Sequence, residues 1–432
     1  MSDLHSIIQH GSFLRDRRRF DEAVAAFHEG LAQAPDSPEL YFELSVTHLQ
    51  MEGKTNTQKA LEHINEAIGY DPEWAPYHAY KGLILNQLNK HGEAKKCAND
   101  AIALDGESLL GWTVKGQSFV LKNQWKDAEP CLQKALEIDP DFDMANSLLT
   151  ITLRGKGDVQ SSEEQVAKSL ERDADSAPAH ANMGWVRLQQ GKPREAETHF
   201  LEALRLEPEY DYARDGLIEA YKARSLFYRL YLRYCFFLQK FTGAQQVAIM
   251  IGAYVGFKFG RALLSSIHPV LGGIFAVAYL IFVFFSWLAS GIGHLLILKD
   301  PVARMALKLK EKLDGVFVGG AFLLGVILIL VGCVTQIMGI IVVGAMFAIA
   351  AIPSSLVFLN TKVAGRTLFG ALAVVTYCAG TALAIEVFRS GFIFAPEGQS
   401  ESPIVGISLV VGLFASFGST WLAMIPGIKA FD

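Results

Sequence analysis

Residues 75–108, APYHAYKGLILNQLNKHGEAKKCANDAIALDGES, and residues 109–142, LLGWTVKGQSFVLKNQWKDAEPCLQKALEIDPDF, are two versions of one 34-residue pattern. The eighth position of each stretch is glycine, Gly82 and Gly116, and the twentieth is alanine, Ala94 and Ala128. Small residues that recur at a fixed period of this size indicate a stacked array of short structural units.

The same register extends beyond these two stretches in both directions. The small residues at the eighth position are Gly11, Ser45, Gly82, Gly116, Thr150 and Gly184. A second ladder consists of Ala23, Ala60, Ala94, Ala128 and Ala196, and a third of Pro35, Pro72, Pro140 and Pro208. The ladders share one three-residue insertion, so they predict six units that begin near residues 4, 38, 75, 109, 143 and 177.

Each unit is expected to consist of two helices joined by a short polar turn. We expect the eighth position to be the point where the two helices touch, because a bulky side chain there would push them apart. The twentieth position is the matching contact on the second helix. The prolines come where one unit ends, and they stop its second helix because proline cannot continue a helical hydrogen-bond ladder.

This pattern resembles the tetratricopeptide repeat family, which also favours an aromatic residue near position 24 and a small residue at position 27. The residues that meet this pattern are Phe27 and Phe200, and Ala67, Ala101, Ala135 and Ala203. The resemblance spans residues 4–222, with 211–222 expected to cap the stack. The fifth unit departs from the pattern, with Ser162, Val166 and Ser169, so we expect it to pack differently or more loosely.

The resemblance also implies a site, since four positions of each first helix line the concave face in that family. Those positions here are Phe42, Val46, Leu49, Leu83, Asn86, Leu110, Gln117, Val120, Ile151, Arg154, Trp185 and Leu188. This mostly apolar groove is suited to a protein or peptide with an apolar segment. The positions that grip a C-terminal carboxylate in some members carry Ile8, Phe42 and Ala79, so no such clamp is expected. Alternatively, the groove residues pack inside the superhelix or against the membrane domain.

Charge divides the chain into two parts. Residues 1–223 contain 24 Lys and Arg against 37 Asp and Glu, whereas residues 224–432 contain 15 against 7. The basic part also carries long apolar stretches, so its charge indicates membrane orientation and lipid contact before nucleic acid. We expect three regions: a repeat solenoid at 1–223, an amphipathic juxtamembrane helix at 224–241 and a membrane domain at 242–432.

The junction, KARSLFYRLYLRYCFFLQKF at residues 222–241, is predicted to be a helix that lies in the headgroup region of a membrane. On a helical wheel its basic residues, Lys222, Arg229, Arg233 and Lys240, lie opposite the aromatic residues Phe227, Tyr234, Phe237 and Phe241. A soluble helix that packs its aromatic residues on the repeat stack is the alternative.

Six apolar stretches are long enough to cross a membrane as helices. They are 243–263, 269–289, 315–334, 337–358, 367–387 and 404–426. The first is the weakest because it contains Lys258 and Arg261. The positive-inside rule favours six spans with both ends cytosolic, because the basic segments then share one side. Small-residue pairs such as Gly344 and Ala348 are suited to close helix contacts, within the chain or in a homo-oligomer.

No pattern for catalysis, metal binding or cofactor binding is apparent in the sequence. The cysteines do not have metal-ligand spacing, and no phosphate-binding glycine loop or membrane-protease motif occurs. Glu386, at the end of a span, is expected to lie at the interface.

The sequence therefore predicts an all-α protein: a tetratricopeptide-type solenoid followed by a polytopic membrane domain of about six spans. We expect a non-enzymatic adaptor in a bacterial inner membrane, with a protein partner and anionic lipid and without a cofactor. A small transporter or channel with a regulatory repeat domain is the alternative.

Overall fold

A computed structural model describes residues 2–51, 53–301, 303–360, 362–390 and 403–423 of the chain, and these residues form helices and no strand. The first twelve helices are α1 (Ser2–Asp16), α2 (Phe20–Gln33), α3 (Pro38–Gln50), α4 (Lys54–Tyr70), α5 (Ala75–Gln87), α6 (His91–Leu104), α7 (Leu109–Val120), α8 (Trp125–Ile138), α9 (Asp143–Lys156), α10 (Val159–Arg172), α11 (Ala177–Gln189) and α12 (Pro193–Leu206). They form six consecutive helix pairs, and the all-α solenoid predicted from the sequence is confirmed.

The second half of the chain is also helical. Its helices are α13 (Asp211–Lys222), α14 (Leu226–Gln239), α15 (Gly243–Ile267), α16 (Pro269–Ile297), α17 (Ala303–Ala306), α18 (Leu309–Asp314), α19 (Gly320–Thr335), α20 (Met338–Leu359), α21 (Val363–Ser390) and α22 (Pro403–Leu422). A π-helical turn, Gly315–Gly319, joins α18 to α19. The acidic loop at 395–402, the end of the sixth predicted span and Lys429 lie outside the described residues.

The two helices of each repeat touch at the eighth position, as the spacing predicts. A Cβ atom added to Gly116 would lie 2.7 Å from the buried Leu132 side chain, and one added to Gly184 would lie 2.6 Å from the Phe200 ring. In the second repeat the hydroxyl of Ser45 donates to the carbonyl of Ala60, at 2.8 Å. The small residue therefore sets the distance between the helices in each of these repeats.

The turns between repeats are closed by two further ladders of hydrogen bonds. Aspartate carboxylates at a spacing of 34 accept the backbone N–H two residues later, which is an Asx turn. These are Asp71, Asp105, Asp139 and Asp173. At each turn a backbone carbonyl also accepts a hydrogen bond from the side chain six residues later. The donor and acceptor pairs are Tyr41–Pro35, His78–Pro72, Trp112–Gly106, Asn146–Pro140 and His180–Ala174. Each junction between repeats is thus held by side chains that repeat in register.

The turns inside the repeats share one backbone conformation. In five repeats the residue two positions before the start of the second helix has a positive φ: Arg18, Asn89, Asn123, Gly157 and Gly191. This left-handed region suits glycine and asparagine and is unfavourable for a long side chain. Arg18 is therefore the one member of this group whose residue type opposes its conformation.

The fifth repeat keeps the helix pair despite its unusual sequence. The hydroxyl of Ser162, which replaces the usual alanine, donates to the carbonyl of Thr150 at 2.9 Å. Val166, in the aromatic position, packs with Ala179 and Met183 of the next repeat. In the fifth repeat a serine hydroxyl therefore makes the helix contact at the position that alanine occupies in the other repeats.

The described residues divide into two compact units. The first consists of Met1–Lys192, Thr198–Tyr210 and Tyr234–Ile249, and the second of Pro193–Glu197, Asp211–Arg233 and Met250–Asp432. Helix α13, which we expected to cap the repeat stack, belongs to the second unit. There Arg214 donates to the carbonyl of Ala306 and forms an ion pair with Glu311 at 3.1 Å.

Small residues bring the helices of the second unit into backbone contact. A Cβ atom on Gly325 would lie 2.6 Å from the carbonyl oxygen of Gly344, and the reverse distance is the same. A Cβ atom on Gly315 would lie 2.9 Å from the backbone of His294. These glycines thus contact another helix of the same chain.

Five helices are long and apolar enough to cross a membrane, judged by length and composition. They are Gly243–Ile267, Leu309–Thr335, Met338–Leu359, Val363–Arg389 and Pro403–Thr420. They match the first, third, fourth, fifth and sixth predicted spans. The second predicted span lies in the 29-residue helix α16, whose described apolar segments Pro269–Tyr279 and Trp287–Ile297 are shorter.

We predict that Gly116→Leu destabilises the array by about 1–3 kcal/mol, because the new side chain overlaps buried Leu132. The thermal unfolding midpoint of the purified chain, followed by circular dichroism, should fall by several degrees. The matched control is Gly92→Leu in α6, where an added Cβ meets nothing within 4 Å. That variant should unfold at the wild-type midpoint or slightly above it, since glycine is a poor helix former. Equal midpoints for the two variants would contradict the assigned contact.

Candidate functional site

The twelve predicted groove residues lie on the first helices of repeats two to six, and none is exposed. Leu49, Asn86, Val120 and Leu188 are buried, and the remaining eight are half-buried. Leu49 and Val120 belong to hydrophobic clusters between neighbouring repeats. These four residues therefore pack inside the array, and the eight half-buried residues are partly accessible at its surface.

Two predicted groove residues are joined by a hydrogen bond across repeats three and four. The amide nitrogen of Asn86 donates to the side-chain oxygen of Gln117 at 2.9 Å. The side-chain oxygen Oδ1 of Asn86 accepts from the hydroxyl of Ser118 at 3.0 Å and lies 3.2 Å from Nδ1 of His91. The polar groups of the buried Asn86 side chain are thus used within the array, where they link repeats three and four.

An aromatic cluster surrounds the predicted groove residue Phe42. Its ring lies 5.6 Å from Trp74, 5.3 Å from Tyr77 and 5.1 Å from Tyr80. Trp74 is 42% exposed, whereas Tyr77 is buried. Burial raises the pKa of Tyr80 to about 12, so its hydroxyl stays neutral at physiological pH. Sequence reasoning missed Trp74, Tyr77 and Tyr80, although their spacing of three residues was a visible signal.

The other end of the predicted groove carries a cation–π pair. The guanidinium of Arg154 lies 5.4 Å from the centre of the Trp185 ring, and that ring is 5.7 Å from Phe200. Such a pair holds a charged group against an aromatic face. The predicted groove residues therefore include aromatic rings in the second and sixth repeats, with a cation beside the ring of the sixth.

The segment Tyr234–Ile249 packs with the repeat array. The indole nitrogen of Trp125 donates to the carbonyl of Gln239 at 2.8 Å. The end of the Lys240 side chain lies against Gly157, where an added Cβ would overlap it. These contacts join residues more than 80 positions apart in the chain, and no local sequence pattern indicated them.

The junction is two helices and not one. A turn at residues 223–225 separates α13 from α14, so a single helical wheel over 222–241 does not apply. Lys222 lies at the end of α13, is 4% exposed and pairs with Glu219 at 3.0 Å. Its ammonium is also 5.6 Å from the Tyr228 ring. Lys222 is therefore a buried structural cation in this structure.

The remaining predicted interface residues divide by exposure. Phe227 is 74% and Phe237 49% exposed, and Arg233 and Lys240 are also exposed. Tyr234 and Phe241 are half-buried. Arg229 donates to the carbonyl of Ala223, in the turn after α13. Helix α14 thus presents an apolar face with exposed basic groups nearby.

The second unit contains a buried acid–base pair that the sequence did not reveal. Nδ1 of His294, in α16, lies 2.7 Å from a carboxylate oxygen of Asp314, and both side chains are less than 10% exposed. Asp314 directly precedes the π-helical turn. The two residues are 20 positions apart on either side of a basic loop, so their proximity had no local signal.

Three histidines of the first two repeats form a second cluster of titratable groups. The rings of His48 and His63 are stacked 5.3 Å apart, and His28 lies 6.3 Å from His63. Burial lowers the pKa of His48 to about 4, with a further contribution from the charge of His63. The described residues contain no group of three or more His, Cys, Asp or Glu side chains arranged to hold a metal ion.

Six consecutive helix pairs with small-residue contacts define a helical-repeat fold of the protein-interaction class. Models of the tetratricopeptide repeat family match residues 9–55, 75–108 and 177–210. The N-terminal part of the chain is a tetratricopeptide-repeat array.

Two curated proteins are similar to part of this chain. Anaphase-promoting complex subunit 3 of Schizosaccharomyces pombe is 19% identical over 208 residues, which are 48% of this chain and 31% of that protein. A TPR repeat-containing thioredoxin of Arabidopsis thaliana is 24% identical over 98 residues, 23% of this chain and 26% of that protein. The chain thus spans less than a third of the length of these relatives.

A solved structure also resembles the chain. A tetratricopeptide repeat protein from Parabacteroides merdae aligns with a TM-score of 0.44 at 14% identity. The alignment covers 50% of this chain and 82% of that protein.

We predict that acid destabilises the array through His48. In the unfolded chain this histidine binds a proton near pH 6.5, whereas the folded chain resists protonation until about pH 4. Stability should therefore fall as the pH is lowered from 7, by about 1–2 kcal/mol at pH 5. His48→Gln should flatten this pH dependence of the unfolding midpoint, and His10→Gln, at an exposed position, should leave it unchanged. Parallel pH profiles for wild type and His48→Gln would contradict this origin.

Proposed function

We propose that this protein is a membrane-anchored adaptor that binds a protein partner through its repeat array and recruits it to, or assembles it at, a membrane. The observation that supports this most is the combination, in one chain, of a protein-interaction array with five helices apolar and long enough to span a bilayer. Its work is binding, and no catalytic step is assigned to it.

The proposed partner carries an apolar segment that lies along the groove. The eight half-buried groove residues are mostly apolar, and the aromatic cluster around Phe42 offers a partly exposed anchor in Trp74. Aromatic residues dominate the energetics of many interfaces because they bury a large area with few rotatable bonds. The cation of Arg154 adds a point of charge recognition at the far end.

The proposed anchor is the set of apolar helices, aided by α14. Helix α15 has no buried residue, and large apolar side chains such as Phe259 and Leu263 are 74% and 65% exposed. A lipid environment would cover this surface. Phe227, Phe237, Arg233 and Lys240 are proposed to meet the headgroup region, with the array and the C-terminus in the cytosol of a bacterium.

A transporter or channel is the second candidate, and the buried His294–Asp314 pair favours it. Ionisable side chains near the end of a membrane span often mark a proton or ion path. Asp314 lies within the candidate span Leu309–Thr335. The pair also packs between two helices, so it has a structural role in either function.

We predict that a photo-crosslinking amino acid placed at Leu83, in the groove, captures a discrete partner in native membranes. The same amino acid at Lys96, an exposed position on the second helix of the repeat, should not capture that partner. Val46→Glu in the groove should reduce the Leu83 crosslink several-fold, because a charge is then buried at the contact. Equal capture from both positions would exclude the groove as the binding surface.

We predict that positions 305 and 336 lie on opposite sides of the membrane. Single cysteines replacing Met305 and Gln336, in a background without the native cysteines, are labelled by an impermeant thiol reagent before and after cell lysis. Six spans with a cytosolic array place Gln336 outside and Met305 inside. Labelling of both from one side contradicts six spans, and release of the protein by alkaline washing contradicts membrane anchoring.

Gly398 and Asp432 would serve as reporter sites on opposite sides, but they lie outside the described residues.

A further inference from the structure

A cavity of 460 Å³ lies within the second unit, at the end of the apolar helix α16. Its lining comes from the end of α13, the turn that follows it, the last residues of α16 and the loop before α17. The volume is within the range of roughly 300–1,000 Å³ of ligand pockets. Neither the repeat array nor the groove contributes to it.

Three cations line this cavity together with one carboxylate. Lys222 is paired with Glu219, and Arg224 donates to Glu197 at 2.7 Å. The positive charge of each is therefore already compensated by a carboxylate. Lys299 is exposed and makes no ion pair among the described residues. It supplies the surplus positive charge of the site.

The carboxylate in the lining, Asp300, is held by its neighbours. One of its oxygens accepts the backbone N–H of Ala303 at 3.2 Å, at the start of α17. The other lies 3.4 Å from an Arg224 nitrogen, a long contact. That Arg224 nitrogen carries two N–H groups and makes no bond to Glu197, so it can donate to an acceptor in the cavity while the other two nitrogens stay bonded to Glu197.

Two hydroxyl groups complete the polar lining. Burial raises the pKa of Tyr221, so its hydroxyl remains a neutral donor. The Arg224 guanidinium lies 4.4 Å from the Tyr221 ring, which fixes its plane. Ser225 adds a second hydroxyl from the turn. Lysine, arginine and hydroxyl donors in one cavity are the groups that bind a phosphate oxygen.

Exposed apolar side chains flank these polar groups. Leu296 lines the cavity and is 44% exposed. Leu226 and Phe227, which directly follow Ser225, are 63% and 74% exposed. A free phosphate ion would gain nothing from contact with this apolar surface, whereas an acyl chain attached to the phosphate would bury it.

We propose that this cavity binds the phosphate headgroup of an anionic phospholipid. Lys299 and Arg224 contact the phosphate oxygens, and the acyl chains lie over Leu226, Phe227 and Leu296. The proposal rests on the membrane location proposed above, because the ligand is a bilayer component.

The test uses the full chain, purified in a mild detergent, with phosphatidylglycerol and phosphatidylcholine as probes and native mass spectrometry as the readout. Phosphatidylglycerol should bind at least fivefold more tightly than phosphatidylcholine. Lys299→Glu should weaken phosphatidylglycerol binding about tenfold, because one basic group near an anionic headgroup is lost and a repulsive charge is added. The matched control is Lys362→Glu, at another exposed lysine of the same unit, which should bind like wild type.

Phe227→Ser and a competition with inorganic phosphate separate a lipid site from an anion site. Phe227→Ser should weaken phosphatidylglycerol binding several-fold, and millimolar phosphate should fail to displace the lipid. The proposal is overturned if phosphatidylglycerol shows no preference, if Lys299→Glu binds like wild type, or if phosphate displaces the lipid while Phe227→Ser has no effect. Release of the protein from native membranes by alkaline washing contradicts the membrane location itself, whatever lipid the purified chain binds.

Discussion

The contact between a small residue on the first helix of a repeat and the second helix determines the geometry of the whole array. At Gly116 and Gly184 there is no room for a single added carbon atom. Because this contact fixes the distance between the helices of a repeat, it also fixes where the next repeat packs. The half-buried residues of the proposed groove lie on the first helices of five such pairs.

The sequence predicted this array well because its determinants are local and repeat at one period. The helix pairs, their turns and the small-residue contacts follow from spacings of 34 residues. The aspartate ladder from Asp71 to Asp173 has the same period and could have been recognised in the same way. The Asn86–Gln117 bond joins residues one repeat apart, so it too belongs to the periodic part of the structure.

Other features could not be predicted because they depend on non-local packing or on a break in a helix. The Trp125–Gln239 bond spans 114 positions, and no pattern connects its two partners. Lys222 was placed on a basic stripe because a helical wheel assumes an unbroken helix, whereas the turn at 223–225 rotates it into the protein. The His294–Asp314 pair needed knowledge of which helices pack together, and apolar spans carry little information about their neighbours.

Glycines where two backbones touch, such as Gly325 and Gly344, have a consequence for how this sequence can diverge. Every substitution at such a site adds atoms, and a carbonyl oxygen 2.6 Å away cannot move aside as a side chain can. Neither glycine can therefore be replaced by a larger residue unless the two helix backbones first move apart. In descendants of this chain, these glycines should persist long after the exposed residues around them have been exchanged.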